Sequence, residues 1–387
     1  MQVYMVPPLP VHKLRIVGRQ RAALSRVEHQ LAGDTLLFHR PPFARPTRCP
    51  FRHRLRLLQI FSSLSLIIHC LLVSCGTALK AACPTEANMQ TKQQIAKLLA
   101  SAGVSPNKRL GQHFLIDLNL MQLLLDSAHI HAGDVVLEVG CGTGSFTEAL
   151  SKVAGFVVAV EYDPALARIA AQQLDEAYNV QVIGADVLQS KNRLNDEVVG
   201  ALRQAVADYG GKMLLVANLP YGVGSPLMVD LIAGGAGDVV CDAMYVTVQK
   251  EVADRLVAAP GNKDYGILSI LMAATGKAQI IRKLKPGVFW PRPQVDSAMV
   301  AYQRQKKKVE AIKDIAILKE VAGLLMGHRR KMLKACVKFA DGGLAEVHHW
   351  GDIFDRAFVD PHHRPEQLSA ENYISIANLC HEALNPQ

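Results

Sequence analysis

Five apolar, β-branched runs recur along the middle of the chain, separated by segments long enough to form helices. They span residues 135–139, 157–160, 180–183, 213–217 and 244–248. Such runs are typical of strands buried on both faces, and their alternation with helices indicates βα units in a parallel sheet. The sequence therefore predicts an α/β fold with a Rossmann-like sheet.

The residues on either side of this repeat predict further elements. A short amphipathic helix is expected from Thr91, and a second helix is expected to end near Ala128. Two later strands are expected at 278–282 and 296–302.

The charged stretch QRQKKK at 303–308 is interpreted as a hinge. Beyond it no β-rich run occurs, and helices are predicted at 312–325, 329–339 and 370–384. We therefore expect a catalytic domain at 89–303 and a small helical domain at 304–387, preceded by an extension at 1–88.

The extension differs from the rest of the chain in charge. It holds twelve of the 43 Lys and Arg residues and three of the 34 acidic residues, which leaves 31 of each in residues 89–387. The excess positive charge thus belongs to the extension. Any nucleic-acid footprint on the remainder must be a local patch.

Three interpretations of the extension remain open. Residues 57–79 carry no charge and are long enough for a membrane span or signal, with a lipoprotein-like LVSC at 72–75. An Arg-rich organellar transit segment is the second interpretation. The third, which we favour, is a start codon assigned too far upstream of Met89. The core from Met89 is expected to be cytoplasmic and free of membrane contact.

Cysteine and histidine spacing does not indicate a metal site. The eight Cys residues include no Cys-x-x-Cys pair, and the C-terminal His residues lack Cys or carboxylate partners at ligand spacing. This usage is typical of a reducing compartment, and we expect no metal cofactor.

A glycine-rich turn, EVGCGTG at 138–144, follows the first strand of the repeat. Its glycines let the backbone approach a ligand, and a helix starting near Ser145 would offer free N–H groups to an anion. The second strand ends in Glu161, whose carboxylate can accept both ribose hydroxyls. Together they predict a nucleoside cofactor, although the Gly-x-Gly-x-Gly spacing differs from that of dinucleotide sites.

The third strand leads to Asp186, in GAD at 184–186. An Asp at this position often only caps a helix, but it can also accept a hydrogen bond from a cofactor adenine. Because ligands bind outside the carboxyl ends of strands in open α/β sheets, we favour the binding role.

The fourth strand ends in Asn218-Leu219-Pro220-Tyr221. An adenine amine is a poor nucleophile because its lone pair is delocalised, and carbonyl acceptors favour the pyramidal nitrogen that attacks a methyl group. The Asn218 side chain and the Leu219 carbonyl can accept its two N–H groups, while Pro220 stiffens the turn. Tyr221 can stack on the extruded base. The tetrapeptide predicts methyl transfer to an amino group.

With these motifs in order, residues 89–380 resemble the ribosomal RNA adenine dimethyltransferases. The resemblance rests on KRLGQHFL at 108–115, EVGCGTGSFTEAL at 138–150, VEYD at 160–163, GAD at 184–186, NLPYGVGSPL at 218–227, VQKEVADRL at 248–256, DYGILSI at 264–270, FWPRPQVDSA at 289–298, HRRKML at 328–333 and RPEQLSAENYISIAN at 364–378.

The resemblance implies S-adenosylmethionine as cofactor and assigns roles to particular residues. The residues implied to contact the cofactor are His113, Leu115, Gly140, Gly142, Glu161, Asp186 and Asn218. The residues implied to act on the target base are Asn218, Leu219, Pro220, Tyr221 and Phe289. The sequence departs from the usual pattern at His113, at Cys141 and at Lys334-Ala335, and none of these changes removes a catalytic group.

Basic residues supply the candidate RNA contacts. In the helix predicted at 329–339, Arg329, Arg330, Lys331, Lys334 and Lys338 would form one basic face suited to phosphates, although such a face is often merely solvated. We also assign RNA contact to Lys108 and Arg109.

The resemblance further implies dimethylation of two adjacent adenosines in the 3′-terminal hairpin of small-subunit rRNA, with the immature 30S particle as partner and a monomeric enzyme. Two alternatives remain open: a non-catalytic assembly or transcription factor of the same fold, and a large-subunit rRNA adenine methylase. The intact Gly140, Glu161, Asp186 and Asn218-Leu219-Pro220-Tyr221 favour an enzyme over a non-catalytic factor. The matches RPEQLSAENYISIAN at 364–378 and YGILS at 265–269 argue against a large-subunit methylase.

Overall fold

The computed structural model describes residues 89–386, apart from 108–109, 191–192, 235–236 and 238. The expectations for residues 1–88 and for Lys108 and Arg109 lie outside the described residues. None of the helices in the described part is long and apolar enough to cross a bilayer.

The described strands are β1 (Phe114–Leu115), β2 (Val135–Val139), β3 (Phe156–Val160), β4 (Val180–Ile183), β5 (Leu188–Ser190), β6 (Arg193–Leu194), β7 (Met213–Asn218), β8 (Cys241–Gln249), β9 (Gly276–Leu284), β10 (Phe289–Trp290) and β11 (Ser297–Arg304). The described α-helices are α1 (Lys92–Ser101), α2 (Leu118–Ser127), α3 (Ser145–Ser151), α4 (Pro164–Gln173), α5 (Asp196–Tyr209), α6 (Gly224–Ile232), α7 (Lys250–Leu256), α8 (Ile267–Thr275), α9 (Lys306–Glu310), α10 (Ile315–Gly327), α11 (Leu333–Cys336), α12 (Trp350–Arg356) and α13 (Ala370–Leu384).

A seven-stranded sheet in the order β4-β3-β2-β7-β8-β11-β9 organises the described chain. The first five strands in that order are parallel, whereas β11 is antiparallel to both β8 and β9. The predicted Rossmann-like α/β sheet is confirmed. The carboxyl ends of the five parallel strands therefore meet at one edge, which we call the site edge.

The antiparallel strands bring two further positions to the site edge. Ser297, the first residue of β11, pairs with Gln249 at the end of β8, and Leu284 at the end of β9 pairs with Ser297. Because β9 runs towards the site edge, the segment that follows it begins there.

The strand bounds follow from burial. Every residue of β2 is buried, and Val135, Val136 and Leu137 are completely enclosed. The predicted bounds of β2 and β4 match the structure, whereas β8 and β9 extend beyond the predicted 244–248 and 278–282. These extensions include polar residues such as Lys277, which an apolar run does not reveal.

The helices beyond β11 pack onto the same apolar core as the sheet. Leu318 of α10 and Tyr373 of α13 are fully buried in the cluster that contains Leu231 of α6. Lys319 donates to the buried Asp230 carboxylate of α6 at 2.7 Å. The C-terminal helices thus share the apolar core of the sheet, and an ion pair joins them to helix α6.

Two expectations for this region are wrong. The stretch 303–308 is not a hinge, because β11 continues to Arg304 and α9 begins at Lys306, where Lys308 Nζ donates to the carbonyls of Ala273 and Gly276. The single helix expected at 329–339 is also absent from the structure.

That helix is broken because Met332 is extended, with φ −68° and ψ 154°. The N–H groups of Leu333 and Lys334 donate to the carbonyls of His363 and Pro361 instead of continuing a helix. Residues 328–331 form a turn, and α11 spans only Leu333–Cys336.

Candidate active site

A cavity of about 380 Å³ opens at the site edge. Its lining includes every residue that we assigned to the cofactor or the target base, namely His113, Leu115, Gly140, Gly142, Glu161, Asp186, Asn218, Leu219, Pro220, Tyr221 and Phe289. Residues separated by up to 176 positions in the sequence thus converge on one concave site. The convergence supports a binding site and leaves the individual roles to be argued from contacts.

The glycine-rich turn forms one wall of the cavity, and two of its glycines are required there. Gly140 has φ +79°, and a Cβ atom built on it would lie 2.8 Å from Pro220 Cγ. Gly142 has φ +59°, and its Cβ would lie 2.9 Å from Phe114 Cε1. Both backbone conformation and close packing exclude a side chain. The turn is a cradle that a Cβ would fill.

Glu161, at the end of β3, fixes the shape of this cradle. Its Oε2 accepts the Gly142 N–H at 2.9 Å, and its Oε1 accepts the Asp163 N–H at 2.9 Å. Burial raises the pKa of Glu161 above its usual value, although these two backbone bonds oppose the shift. Each oxygen retains a lone pair, so the carboxylate can hold the turn and still accept from a ligand.

Glu138, in the same wall, is a site residue that the sequence reasoning left without a role. It is 2% exposed, and its Oε2 has no hydrogen-bond partner. Burial raises the pKa of Glu138 to about 8; the neighbouring Thr147 opposes the shift and the Glu161 charge adds to it. Thr147 Oγ1 also lacks a hydrogen-bond partner. A buried polar atom without a partner in a cavity wall suits a polar ligand group.

Asp186 lies at the far rim, after β4. Its Oδ1 accepts the Leu188 N–H at 3.0 Å, which closes a local turn, and its backbone carbonyl accepts from Asn195 Nδ2 at 3.1 Å. The side chain is exposed to the cavity mouth. The helix-cap interpretation of Asp186 is wrong, because the turn leads into β5 and Asn195 caps the next helix. One carboxylate oxygen shapes the turn and the other remains open, so the binding role stays a prediction.

Asn218, the last residue of β7, is oriented by the segment before β1. Its Nδ2 donates to the His113 carbonyl at 2.9 Å. Within the described residues its Oδ1 accepts no hydrogen bond, and the side chain lines the cavity. Because the amide nitrogen is held, the oxygen is the atom presented to a ligand.

His113 also connects this wall to the strand opposite. Its Nδ1–H donates to the Pro291 carbonyl at 2.6 Å, and its ring lies 5.0 Å from the Tyr221 ring. Tyr221 in turn forms a 3.2 Å hydrogen bond with Ser297. These contacts fix the direction of the Tyr221 ring at the cavity.

Phe289 is held opposite by a short strand pair. β1 and β10 are antiparallel, with Leu115 opposite Phe289 and Phe114 opposite Trp290. Phe289 is 4% exposed, and the rings of Phe114 and Trp290 stack at 6.2 Å. Tyr221 and Phe289 thus supply the aromatic lining of one part of the cavity.

Gln90 is a second residue that the sequence reasoning missed. Its backbone N–H donates to Ser145 Oγ at 2.6 Å, and its Oε1 accepts from Thr143 Oγ1 at 2.7 Å. Thr143 and Ser145 belong to the cavity wall, and all three side chains are buried. Gln90 lies more than fifty positions before its partners and outside any motif, so no pattern could have indicated it.

The basic residues that we assigned to RNA contact do not lie on one helix. Arg329 donates to the Glu366 carboxylate at 2.6 Å and to the carbonyls of Lys263 and Asn262, so its guanidinium is used within the protein. The residues that remain exposed are Arg330, Lys331, Lys334 and Lys338. The single helical face expected of them is wrong, because they lie on a turn and two short helical segments.

Comparison with known proteins identifies the family of this chain. The family profile described as "Ribosomal RNA adenine dimethylase" matches residues 103–382. Two relatives named "Ribosomal RNA small subunit methyltransferase A" come from Pelotomaculum thermopropionicum and Pediococcus pentosaceus. The first is 34% identical over 286 residues, covering 73% of this chain and 94% of the relative. The second is 36% identical over 283 residues, covering 73% and 92%.

A dimethyladenosine transferase from Plasmodium falciparum has a similar fold. The TM-score is 0.52 at 19% sequence identity, over 69% of this chain and 97% of that one. The family match, together with the parallel sheet and the glycine turn at its site edge, identifies a Rossmann-like fold of the methyltransferase class that uses S-adenosylmethionine. Within that class, the chain belongs to the ribosomal RNA adenine dimethylase family. It is an adenine dimethyltransferase of that family.

Proposed function

We propose that this enzyme transfers methyl groups from S-adenosylmethionine to the N6 amines of two adjacent adenosines in the 3′-terminal hairpin of small-subunit rRNA, on the immature 30S particle. The observation that carries the proposal is the fixed Asn218 amide, which lines the cavity with Tyr221. Its nitrogen is held by the His113 carbonyl, and its oxygen accepts no hydrogen bond from the described residues. The relatives' names supply the small subunit as the substrate.

The described residues fit the cofactor. The cradle formed by Gly140 and Gly142 lets the backbone approach it, and the Glu161 carboxylate can accept from its ribose hydroxyls. Asp186 would receive its adenine amine at the rim. His113 and Leu115 would close the cavity above it. When bound, S-adenosylmethionine supplies the electrophilic methyl group.

The target adenine would enter between Tyr221 and Phe289. Stacking against aromatic rings compensates for the loss of base stacking when a nucleotide is extruded. Asn218 Oδ1 and the Leu219 carbonyl would then accept the two N–H groups of the amine, which turns the nitrogen lone pair towards the methyl carbon. No strong base is required, because the amine proton becomes acidic as the N–C bond forms and can leave to water.

We also propose the division of labour expected from the sequence, with catalysis at 89–303 and RNA contact by 304–387. Arg330, Lys331, Lys334 and Lys338 are exposed there and suit phosphate groups. The two parts share one apolar core, so we propose a division of functional roles and not two separately packed domains.

The test is methyl transfer from labelled S-adenosylmethionine to undermethylated small subunits, followed by mass spectrometry of the 3′ hairpin. Protein starting at Met89 and the full chain are compared. Two adjacent dimethyladenosines are the expected product. Cofactor binding without modified adenine in small subunits would contradict the proposal, and modification of large-subunit RNA instead would assign a different substrate.

A further inference from the structure

The segment from β9 to the cavity wall has an unusual charge composition. Residues 276–292, GKAQIIRKLKPGVFWPR, contain five basic residues and no acidic residue. Residues 89–387 as a whole carry equal numbers of the two charges. The local excess is therefore a property of this segment, and nothing in the catalytic chemistry described above uses it.

The sheet register places most of this charge at the site edge. Leu284 at the end of β9 pairs with Ser297, and Ser297 bonds to Tyr221 in the cavity wall. Arg282 and Lys283 immediately precede Leu284. After Phe289 in the cavity wall, the segment leaves the site through Arg292.

The side chains of this group are available. β9 is the edge strand of the sheet, and Arg282, Lys283 and Arg292 are exposed. Among the described residues none of these three has an ion-pair or hydrogen-bond partner. Lys285, by contrast, pairs with Asp296 at 3.2 Å.

The acidic groups on the neighbouring helix α7 do not neutralise them. Glu251 forms an ion pair with Arg255, and Asp254 forms one with Lys250. Each of these carboxylates is therefore already matched by a cation of its own helix. Charges without a matched counterion beside a site for a flipped base favour a polyanion.

We propose that Arg282, Lys283 and Arg292 form an RNA-backbone contact, the basic rim, which binds phosphates flanking the extruded adenosine. This inference rests on the proposed action on RNA and adds a surface on the sheet to the exposed cations of the C-terminal helices. Phosphate contacts fix the position of the nucleic acid without reading its sequence. The basic rim would thus hold the strand while Tyr221 and Phe289 receive the base.

The chain offers a matched control at the opposite ends of the strands. Lys277 lies on β9 itself, six residues before Lys283, which at the usual rise per residue is about 20 Å away. Lys212, just before β7, and Lys307, just after β11, are also exposed at that end. Changing these three residues removes the same net charge from the other side of the sheet.

The experiment compares R282Q/K283Q/R292Q with K212Q/K277Q/K307Q. Binding of a labelled RNA hairpin with two adjacent loop adenosines is measured by anisotropy from about 50 to 200 mM salt. We expect the rim variant to bind about 10- to 100-fold more weakly at low salt. The slope of the logarithm of its binding constant against the logarithm of the salt concentration should become shallower by about 2 to 3. The control variant should change the slope by less than about 1.

A second readout separates this inference from the proposed substrate. With small subunits, the rim variant should show a raised KM at unchanged kcat and unchanged affinity for S-adenosylmethionine. Equal losses in both triple variants, or an unchanged salt slope in the rim variant, would overturn the basic rim. If the wild type binds the hairpin but methylates no small subunit, the proposed substrate is wrong. The salt slopes of the two triple variants would still test the basic rim.

Discussion

We propose that the cavity has a cofactor half and a base half, and the side chains that represent them are held in different ways. In the cofactor half, at the ends of β2, β3 and β4, the Glu161 carboxylate also serves the protein, because its two oxygens hold the N–H groups of Gly142 and Asp163. In the base half, at the end of β7, the protein holds Asn218 by its nitrogen and leaves its oxygen unused. The comparison indicates that Glu161 shapes the cavity wall with both of its oxygens, whereas Asn218 leaves its oxygen as a single directed acceptor.

Asn218→Ala gives the sharpest test of this difference. Removing a directed polar group from a transition state typically costs about 10²- to 10³-fold, so single-turnover methyl transfer should fall by that factor. Affinity for S-adenosylmethionine, measured by calorimetry, should change by less than about tenfold because the cradle is untouched. A loss of cofactor affinity as large as the loss of rate would place Asn218 in the cofactor half.

Gly142→Ala should show the reverse pattern. The positive φ and the 2.9 Å approach to Phe114 impose strain of about 1–3 kcal/mol, so S-adenosylmethionine should bind roughly 10- to 100-fold more weakly. The rate at saturating cofactor should stay within about threefold. Gly200→Ala is the control, because a Cβ at that helical position meets nothing within 4 Å. A large fall in the rate at saturating S-adenosylmethionine would show that Gly142 also affects methyl transfer, which contradicts the proposed separation of the two halves.

Glu138→Gln tests whether the buried Glu138 carboxyl makes the stability of the protein depend on pH. Since burial raises the Glu138 pKa to about 8 from a usual 4.5, the folded protein keeps a proton that the unfolded chain releases between these values. Stability conferred by that proton is present below the unfolded pKa and is lost as pH rises through the folded pKa.

The free energy of unfolding should therefore fall by about 2 kcal/mol between pH 6 and 8. In Glu138→Gln this decrease should disappear, whereas the half-exposed Glu148→Gln should retain it. Urea titrations at both pH values measure it. The same pH dependence in wild type and Glu138→Gln would show that another group is responsible.

Tyr221→Phe should have the smallest effect. It removes the 3.2 Å hydrogen bond to Ser297 but keeps the ring, so kcat/KM should fall by about two- to tenfold. Tyr221→Ala also removes the stacking surface, which is worth about 1–3 kcal/mol per base. If the two variants were equally impaired, the hydroxyl and not the ring would be the important part of the base half.

The sequence predicts the parts of this site that depend on a short, continuous stretch of residues. β2 and the Gly140 turn follow from a buried run that ends in glycines, and Asn218 follows from a motif with its own chemistry. Gln90 and the basic rim could not be found in this way, because their roles depend on which distant segments are neighbours. The helix expected at 329–339 failed for the same reason, since tertiary hydrogen bonds to His363 and Pro361 replace its local ones.

The close approach of Gly140 to Pro220 links the two halves, and it has a consequence for how such enzymes diverge. A methyl group at position 140 would meet the Pro220 ring at 2.8 Å. Because Gly140 also has φ +79°, a smaller residue at 220 would relieve the contact but not the backbone strain, so we expect position 140 to remain glycine among homologues. The residue at 220 must in turn fit against this glycine turn, so substitution in the proposed base half is restricted by the proposed cofactor half.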